Sequence, residues 1–191
     1  MIERPELLRM DALRQFEQVI GKVSGAAGWL AGCLCLLMIA VVFIDVVSRY
    51  AFDSGSIAMQ ELEWHLFAAV FLLGAAYTMR EDANVRVDVF YTKMSPGRKA
   101  IVDILGTVFF VIPMCSLILW SAYDPVIYSY QLGEVSMDPG GLPYRFAFKA
   151  LLPIGYFLVM LQSLAVISRN LRILLVGSDT EQFSGCSGRK R

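Results

Sequence analysis

The stretch 61–91, ELEWHLFAAVFLLGAAYTMREDANVRVDVFY, decides how the rest of the chain is arranged. Between Trp64 and Met79 no residue carries a formal charge, but this segment alone is too short to cross a hydrocarbon core of about 30 Å. Extending it back to Ile57 supplies the missing turns and brings Glu61 and Glu63 into or beside the membrane. Carboxylates at that depth need a partner, water or a proton. The stretch therefore predicts a membrane-spanning helix with acidic residues at its entry.

A mixture of charged and apolar residues follows this helix. From Arg80 onward, Arg86 and Asp88 are interleaved with Val85, Val87, Val89, Phe90 and Tyr91. This spacing indicates a segment half-buried against lipid headgroups or another protein. Asp88 is also a suitable cap for a short interfacial helix that would run to Met94.

The same unit resembles the small membrane subunit of tripartite ATP-independent periplasmic (TRAP) transporters. The residues that carry the resemblance are Glu61 at the start of the second helix, Leu66-Phe67, Leu73-Gly74-Ala75-Ala76, Arg80 and Asn84-Val85-Arg86-Val87-Asp88. Asn84 stands where the family often has histidine, so a role that needs that imidazole is not carried over. The resemblance extends over roughly residues 25–175.

The resemblance implies a function within a three-component transporter. In this family the small subunit pairs with a large membrane subunit that binds substrate and sodium, and a periplasmic solute-binding protein delivers the substrate, typically an organic acid. The large subunit is thought to move its substrate-carrying part against a static frame that the small subunit extends. The resemblance thus implies a scaffold subunit in a bacterial or archaeal inner membrane that is not an enzyme.

The composition agrees with a membrane protein and excludes several other classes. Of the 191 residues, 57% are hydrophobic, above the 45–50% that is typical of soluble domains. The formal net charge of zero gives no case for nucleic acid as a partner. The single histidine, His65, excludes bis-histidine haem ligation within one chain and disfavours a zinc site. With no phosphate loop, nucleophile elbow or Cys-x-x-Cys motif either, we expect no catalytic, cofactor-binding or metal-binding residues.

Four apolar segments predict an all-α, polytopic fold in the lipid bilayer, with spans at about 23–47, 57–79, 98–123 and 145–172. Residues 1–22 have apolar positions at helical spacing and predict an amphipathic cytoplasmic or interfacial helix; the alternative is a simple extension of the first span. Together the spans make up one transmembrane domain, 23–176. The Gly/Ser-rich residues 177–191 predict a disordered cytoplasmic tail.

Prolines mark the predicted interruptions of these helices. Ser95-Pro96 suits the cap and first position of the third helix. Within that helix, Pro113 should free a carbonyl one turn earlier and kink the span. Asp124-Pro125 predicts a break, because the residue before proline disfavours helical geometry, and Pro143 can open the fourth helix.

The positions of lysine and arginine predict the orientation. These residues are concentrated in the amino-terminal segment, in the 80–99 connection and at the carboxy-terminal end. The other two connections have almost none beyond Arg49 and Arg145. With four spans, this distribution predicts that both termini are cytoplasmic.

The candidate functional residues are charged groups at helix ends and a glycine face. Those predicted to fix the fold and the contact with the large subunit are Glu61, Glu63, Arg80, Arg86, Asp88, Gly25, Gly28 and Gly32. The glycines share one helix face and form a groove for another helix, either of this chain or of a partner. On the predicted periplasmic side, Asp124, Glu134 and Asp138 either dock the binding protein or belong to a solvated loop.

Two other functions stay open at this point. A self-sufficient small ion-coupled transporter would use Glu61 and His65, which lie one turn apart and are able to hydrogen-bond, together with Asp45. Asp45 also has a simpler interpretation, as an anchoring ion pair with Arg49 one turn later. A membrane-embedded redox or quinone-binding subunit is the other possibility, which the single histidine disfavours. The identity of the solute, the oligomeric state and the ion stoichiometry do not follow from the sequence.

Overall fold

The computed structural model describes residues 4–84 and 94–187, and the side chains of 13–84 and 94–175. Within these ranges the chain is helical and contains no strand. The helices are α1 (Arg4–Phe52), α2 (Ile57–Arg80), α3 (Pro96–Gly106), a π-helical turn (Thr107–Val111), α4 (Ile112–Leu132) and α5 (Arg145–Ser187). Four stretches are long and apolar enough to cross a membrane: one each in α1, α2 and α5, and α3 with α4 as a continuous rod. The predicted all-α fold with four spans is confirmed.

The first span and the segment before it form one unbroken helix. The predicted boundary at residue 22 is not marked by a turn, since α1 runs from Arg4 to Phe52. Near its far end, Arg49 donates to Asp45 one turn earlier, as predicted from their spacing. Asp53, which has a φ of 50°, then begins the short connection to α2.

The third span departs from the sequence-based prediction at Pro125 and has an irregular helical turn beside Pro113. Pro113 lies just after the π-helical turn Thr107–Val111, which is where its missing N–H leaves a carbonyl unpaired. The predicted break at Asp124-Pro125 is wrong, because α4 continues through Pro125 to Leu132. It ends instead where Gly133 adopts a left-handed conformation. Here the Glu134 amide donates to the Ser129 carbonyl at 3.1 Å, the pattern of a Schellman cap.

The fourth span is also longer than predicted. It begins at Arg145, two residues after Pro143, and passes through Pro153 without ending. The helix continues over 177–187, where the composition predicts a disordered tail.

Several predictions fall on residues outside the described ranges. Arg86 and Asp88 belong to this group, as does nearly all of the short interfacial helix predicted for 88–94.

Helix α5 is the hub of the bundle. It packs against each of the other four helices, whereas α1 and α2 contact each other closely as a hairpin on one side of it. The apolar core is small and consists of Ala27, Ala31 and Leu73, with Leu34 and Leu158 packed against it. Small side chains at these crossings let helix backbones approach closely, which is how helices associate in lipid. Most large apolar side chains lie on the outer surface of the bundle.

Candidate functional site

Glu61, on the first turns of α2, connects that helix to the α4–α5 loop (residues 133–144). Its carboxylate accepts hydrogen bonds from the Ser136 hydroxyl and, at 2.6 Å, from the Leu142 backbone amide. The residue is buried. A carboxylate at this position is stabilised because both of its oxygens receive donors. We call Glu61, Ser136 and Leu142 the Glu61 clamp.

The loop is shaped so that it can close over this carboxylate. The Ser136 amide donates to the Leu142 carbonyl at 3.2 Å, and the Gly141 amide donates to the Asp138 carbonyl at 3.0 Å. A Cβ on Gly141 would lie 2.4 Å from the Ser136 hydroxyl oxygen and 2.8 Å from a Glu61 carboxylate oxygen. Only glycine therefore fits between the two partners of the clamp.

His65 does not reach the Glu61 carboxylate. Its Nδ1 contacts the Glu61 backbone carbonyl instead. The imidazole ring is buried and stacks on Trp64 with 3.9 Å between the ring centroids. The centroid of the Phe148 ring, on α5, lies 3.7 Å from that of the imidazole. The ring thus packs α2 against α5 and takes no part in the clamp.

A second polar contact holds the loop to α5. Lys149 donates to the Glu134 carboxylate, and the Arg145 amide donates to the Glu134 carbonyl at 3.2 Å. The hydrogen bond from Lys149 lowers the pKa of the Glu134 carboxyl below its ordinary value of 4.5. The two other acidic residues predicted here, Asp124 and Asp138, are exposed at the same end of the bundle.

At the opposite end, the glycine face of α1 receives side chains of α2. A Cβ on Gly25 would lie 2.5 Å from a guanidinium nitrogen of Arg80, and one on Gly28 would lie 2.4 Å from the Tyr77 ring. Gly32 has no heavy atom within 4 Å of such a position. Gly25 and Gly28 therefore allow α2 side chains to pack against α1, whereas the space beside Gly32 is unoccupied by other parts of the described chain.

Sequence reasoning missed the polar contacts between α1 and α5. Glu17 accepts hydrogen bonds from Arg172 at 2.6 Å and from Ser168 at 3.0 Å. Deeper in the bundle, the buried Ser24 hydroxyl donates to the side-chain oxygen of Gln162 at 2.7 Å. The available signal was the presence of polar residues in otherwise apolar helices, but it did not reveal which residues pair.

Two carboxylates keep a buried oxygen without a hydrogen-bond partner in the described part of the chain. One belongs to Glu63, the other predicted acidic residue of α2, and one to Asp45, whose second oxygen binds Arg49. Among the described residues, no group of three or more histidine, cysteine, aspartate or glutamate side chains is placed to hold a metal ion. The other polar groups described above hold helices, or a helix and the α4–α5 loop, to one another.

Comparison with known proteins identifies the family. Residues 38–173 match the model of the DctQ component of tripartite ATP-independent periplasmic transporters. The chain belongs to the DctQ family. The match covers well over half of the chain and includes α2, the Glu61 clamp and the part of α5 that crosses the bundle.

The similarity to a second protein supports the same placement. Over 111 residues the chain is 32% identical to a TRAP transporter small permease protein of Haemophilus influenzae, which covers 56% of this chain and 67% of that protein. The DctQ protein described here is thus a multi-pass membrane subunit of a TRAP transporter, a transport component and not an enzyme.

Proposed function

We propose that this DctQ protein is the static frame of its transporter, on which a large membrane subunit that binds substrate and sodium is braced. The observation that carries the proposal is where its charged groups lie. Glu61, Glu134 and Glu17 all bind partners at helix ends within the chain. A carrier that worked alone would need polar groups available along a pathway through the membrane. In this chain these three carboxylates instead hold its own helices and the α4–α5 loop together.

The outer face of α1 is the surface that we propose contacts the large subunit. Trp29, Leu36, Phe43 and Tyr50 recur every seven residues, and each side chain is between 68% and 82% exposed. A second exposed series lies three residues further along the helix and consists of Gly32, Ile39 and Val46. We call this set the α1 seam. A repeat of this kind suits side-by-side packing against another helix, and the open glycine allows a close approach.

The bundle end that carries the α4–α5 loop is proposed to face the periplasm, with both termini in the cytoplasm, because lysine and arginine concentrate at the other end. The exposed carboxylates of Asp124 and Asp138 then lie where a solute-binding protein would dock. An organic acid is the proposed solute class, on the basis of family membership alone.

Side-chain truncation on the α1 seam tests the frame hypothesis. Leu36→Ala and Phe43→Ala remove surface that contacts little else in the chain, so the protein alone should fold and insert as before. Both variants should reduce co-purification with the large subunit of the same transporter. The matched control is Leu117→Ala on α4, whose side chain is exposed to a similar degree. Equal recovery of the complex from seam and control variants would remove the seam from the interface.

A further inference from the structure

A cleft with basic walls lies between α1, α2 and α5, at the membrane end where α2 terminates. Its volume is about 380 Å³. Lys22 of α1, Arg80 of α2 and Arg169 of α5 line it from three sides. Nothing in the frame function requires three cations from three helices to surround one cavity.

The positive charge of the cleft is not cancelled by its own lining. Glu17 is the carboxylate that lines it, and both of its oxygens are already bound, one by Arg172 at 2.6 Å and one by Ser168 at 3.0 Å. The charge of Glu17 is thus matched by Arg172, which is not among the lining residues. Among the lining residues, Lys22, Arg80 and Arg169 therefore remain as an excess of positive charge.

The three cations keep hydrogen-bond donors available. Arg80 lies 3.6 Å from Glu81 and Arg169 lies 3.7 Å from Asp82, both longer than the 2.7–3.2 Å of a hydrogen bond. The four side chains are more than a third exposed, so these pairs are weak. Lys22 is exposed and forms no ion pair with another described residue.

The inner wall of the cleft combines a polar group with apolar surface. Gln162 is buried there, and its side-chain oxygen accepts from Ser24 at 2.7 Å, which leaves the amide NH₂ as the group able to donate. Ala165 and Val166 continue the wall along α5. Donors above an apolar wall suit a ligand that has an anionic head and an apolar body.

We propose that this cleft binds an anionic phosphate group, either of a phospholipid headgroup or free in solution. Guanidinium and ammonium groups are the usual phosphate ligands of proteins, and basic pockets between membrane helices bind anionic lipid headgroups. The cleft lies where α2 ends, and the end of a membrane-spanning helix is expected at the level of the headgroups. A lipid held there joins α1, α2 and α5 through one phosphate. The proposal does not depend on the frame function, because it concerns a ligand of this chain alone.

The test is a binding titration of the purified full-length protein in neutral detergent. Short-chain phosphatidylglycerol, phosphatidylcholine with the same acyl chains, and inorganic phosphate are added in separate titrations, with thermal unfolding as the readout. Lys22→Gln and Arg169→Gln each remove one cation, and their double variant removes two. Arg98→Gln is the matched control, an exposed arginine of α3 that does not line the cleft. Arg80 stays unchanged because it also fills the glycine groove.

Phosphatidylglycerol should raise the unfolding temperature of the wild type, and added salt should weaken the effect. Each single variant should bind about fivefold more weakly, which corresponds to about 1 kcal/mol per cation, and the double variant about 25-fold, while Arg98→Gln binds like the wild type. An equal response to inorganic phosphate, with the same dependence on the variants, identifies free phosphate as the ligand of the same cleft. Lipid binding that is unchanged in the double variant, or weakened equally by Arg98→Gln, overturns the proposal.

Discussion

Replacing Gly28 with alanine should destabilise the protein although alanine is the better helix former. The added Cβ would lie 2.4, 2.5 and 2.8 Å from three atoms of Tyr77, including its Cβ. Ordinary contacts between carbon atoms are about 3.5–4.0 Å. The Cβ and Cγ atoms of Tyr77 lie next to the backbone and cannot rotate away, as the end of a flexible side chain can. The clash can therefore be removed only if α2 itself moves.

The magnitude follows from two opposing effects. Overpacking of this kind costs about 1–3 kcal/mol, and replacing glycine with alanine inside a helix gains up to about 1 kcal/mol. Gly28→Ala should therefore lose about 1–2 kcal/mol. Gly32→Ala has the same backbone gain and no clash, since no atom lies within 4 Å of its added Cβ. It should be neutral or stabilising. Because the backbone gain is common to both variants, they should differ by the cost of overpacking, about 1–3 kcal/mol.

Thermal unfolding of the two variants in the same detergent measures this difference. For a chain of this size, about 1 kcal/mol shifts the midpoint by about 2–4 °C. A difference of about 1–3 kcal/mol therefore places the midpoint of Gly28→Ala roughly 2–12 °C below that of Gly32→Ala. Adding Tyr77→Ala to Gly28→Ala should recover part of the loss, as expected for two residues in contact. Equal midpoints for the two glycine variants, or no recovery in the double variant, would refute the packing argument.

Three further predictions concern the α4–α5 loop. Glu61→Ala should increase hydrogen exchange of this loop by tenfold or more, because its two hydrogen bonds to a charged acceptor are lost, whereas Glu63→Ala should leave exchange in the loop near the wild-type rate. The pKa of Glu134 is lowered in the folded state. Its contribution to stability is therefore complete above pH 4.5 and is lost as the pH falls through the folded pKa. Lys149→Met should make the thermal unfolding temperature depend less on pH in this acid range. Asp138→Lys should lower binding-protein-dependent uptake at unchanged membrane abundance, and unchanged uptake would exclude a docking role.

The sequence predicts features that depend on neighbouring residues. Uninterrupted apolar length identifies the four spans, because the bilayer thickness sets how many residues a helix needs. Pro96 marks the first residue of α3. Asp45 and Arg49 form an ion pair because residues at i and i+4 are neighbours on any helix. Features of this kind need no knowledge of the fold.

Features that depend on distant residues were not predictable. Ser136 and Leu142 are 75 and 81 positions from Glu61 in the sequence, and nothing local shows that they meet. Arg172 is 155 positions from Glu17. The family resemblance suggested that Glu61 matters, but its partners come from a loop whose path only the folded chain defines.

The predicted break at Pro125 fails because the local conformational preference before proline is weaker than the tendency of the membrane helix to continue. A residue before proline disfavours the helical conformation, yet α4 continues because helices in a membrane tolerate proline when surrounding groups supply the lost hydrogen bond. Gly133 terminates the helix instead, since it adopts the left-handed conformation that a Schellman cap requires. Glycine at the end of the apolar segment was therefore the better signal.

The most direct test of the frame hypothesis is solute uptake into proteoliposomes under a sodium gradient. The complete transporter, the large subunit alone and this protein alone are reconstituted at matched amounts, and uptake of the solute that the complete transporter carries is measured with its binding protein present. The account predicts that only vesicles holding both membrane subunits accumulate solute at the full rate, and that this protein alone accumulates none above empty vesicles. Sodium-driven accumulation by this protein alone would contradict it.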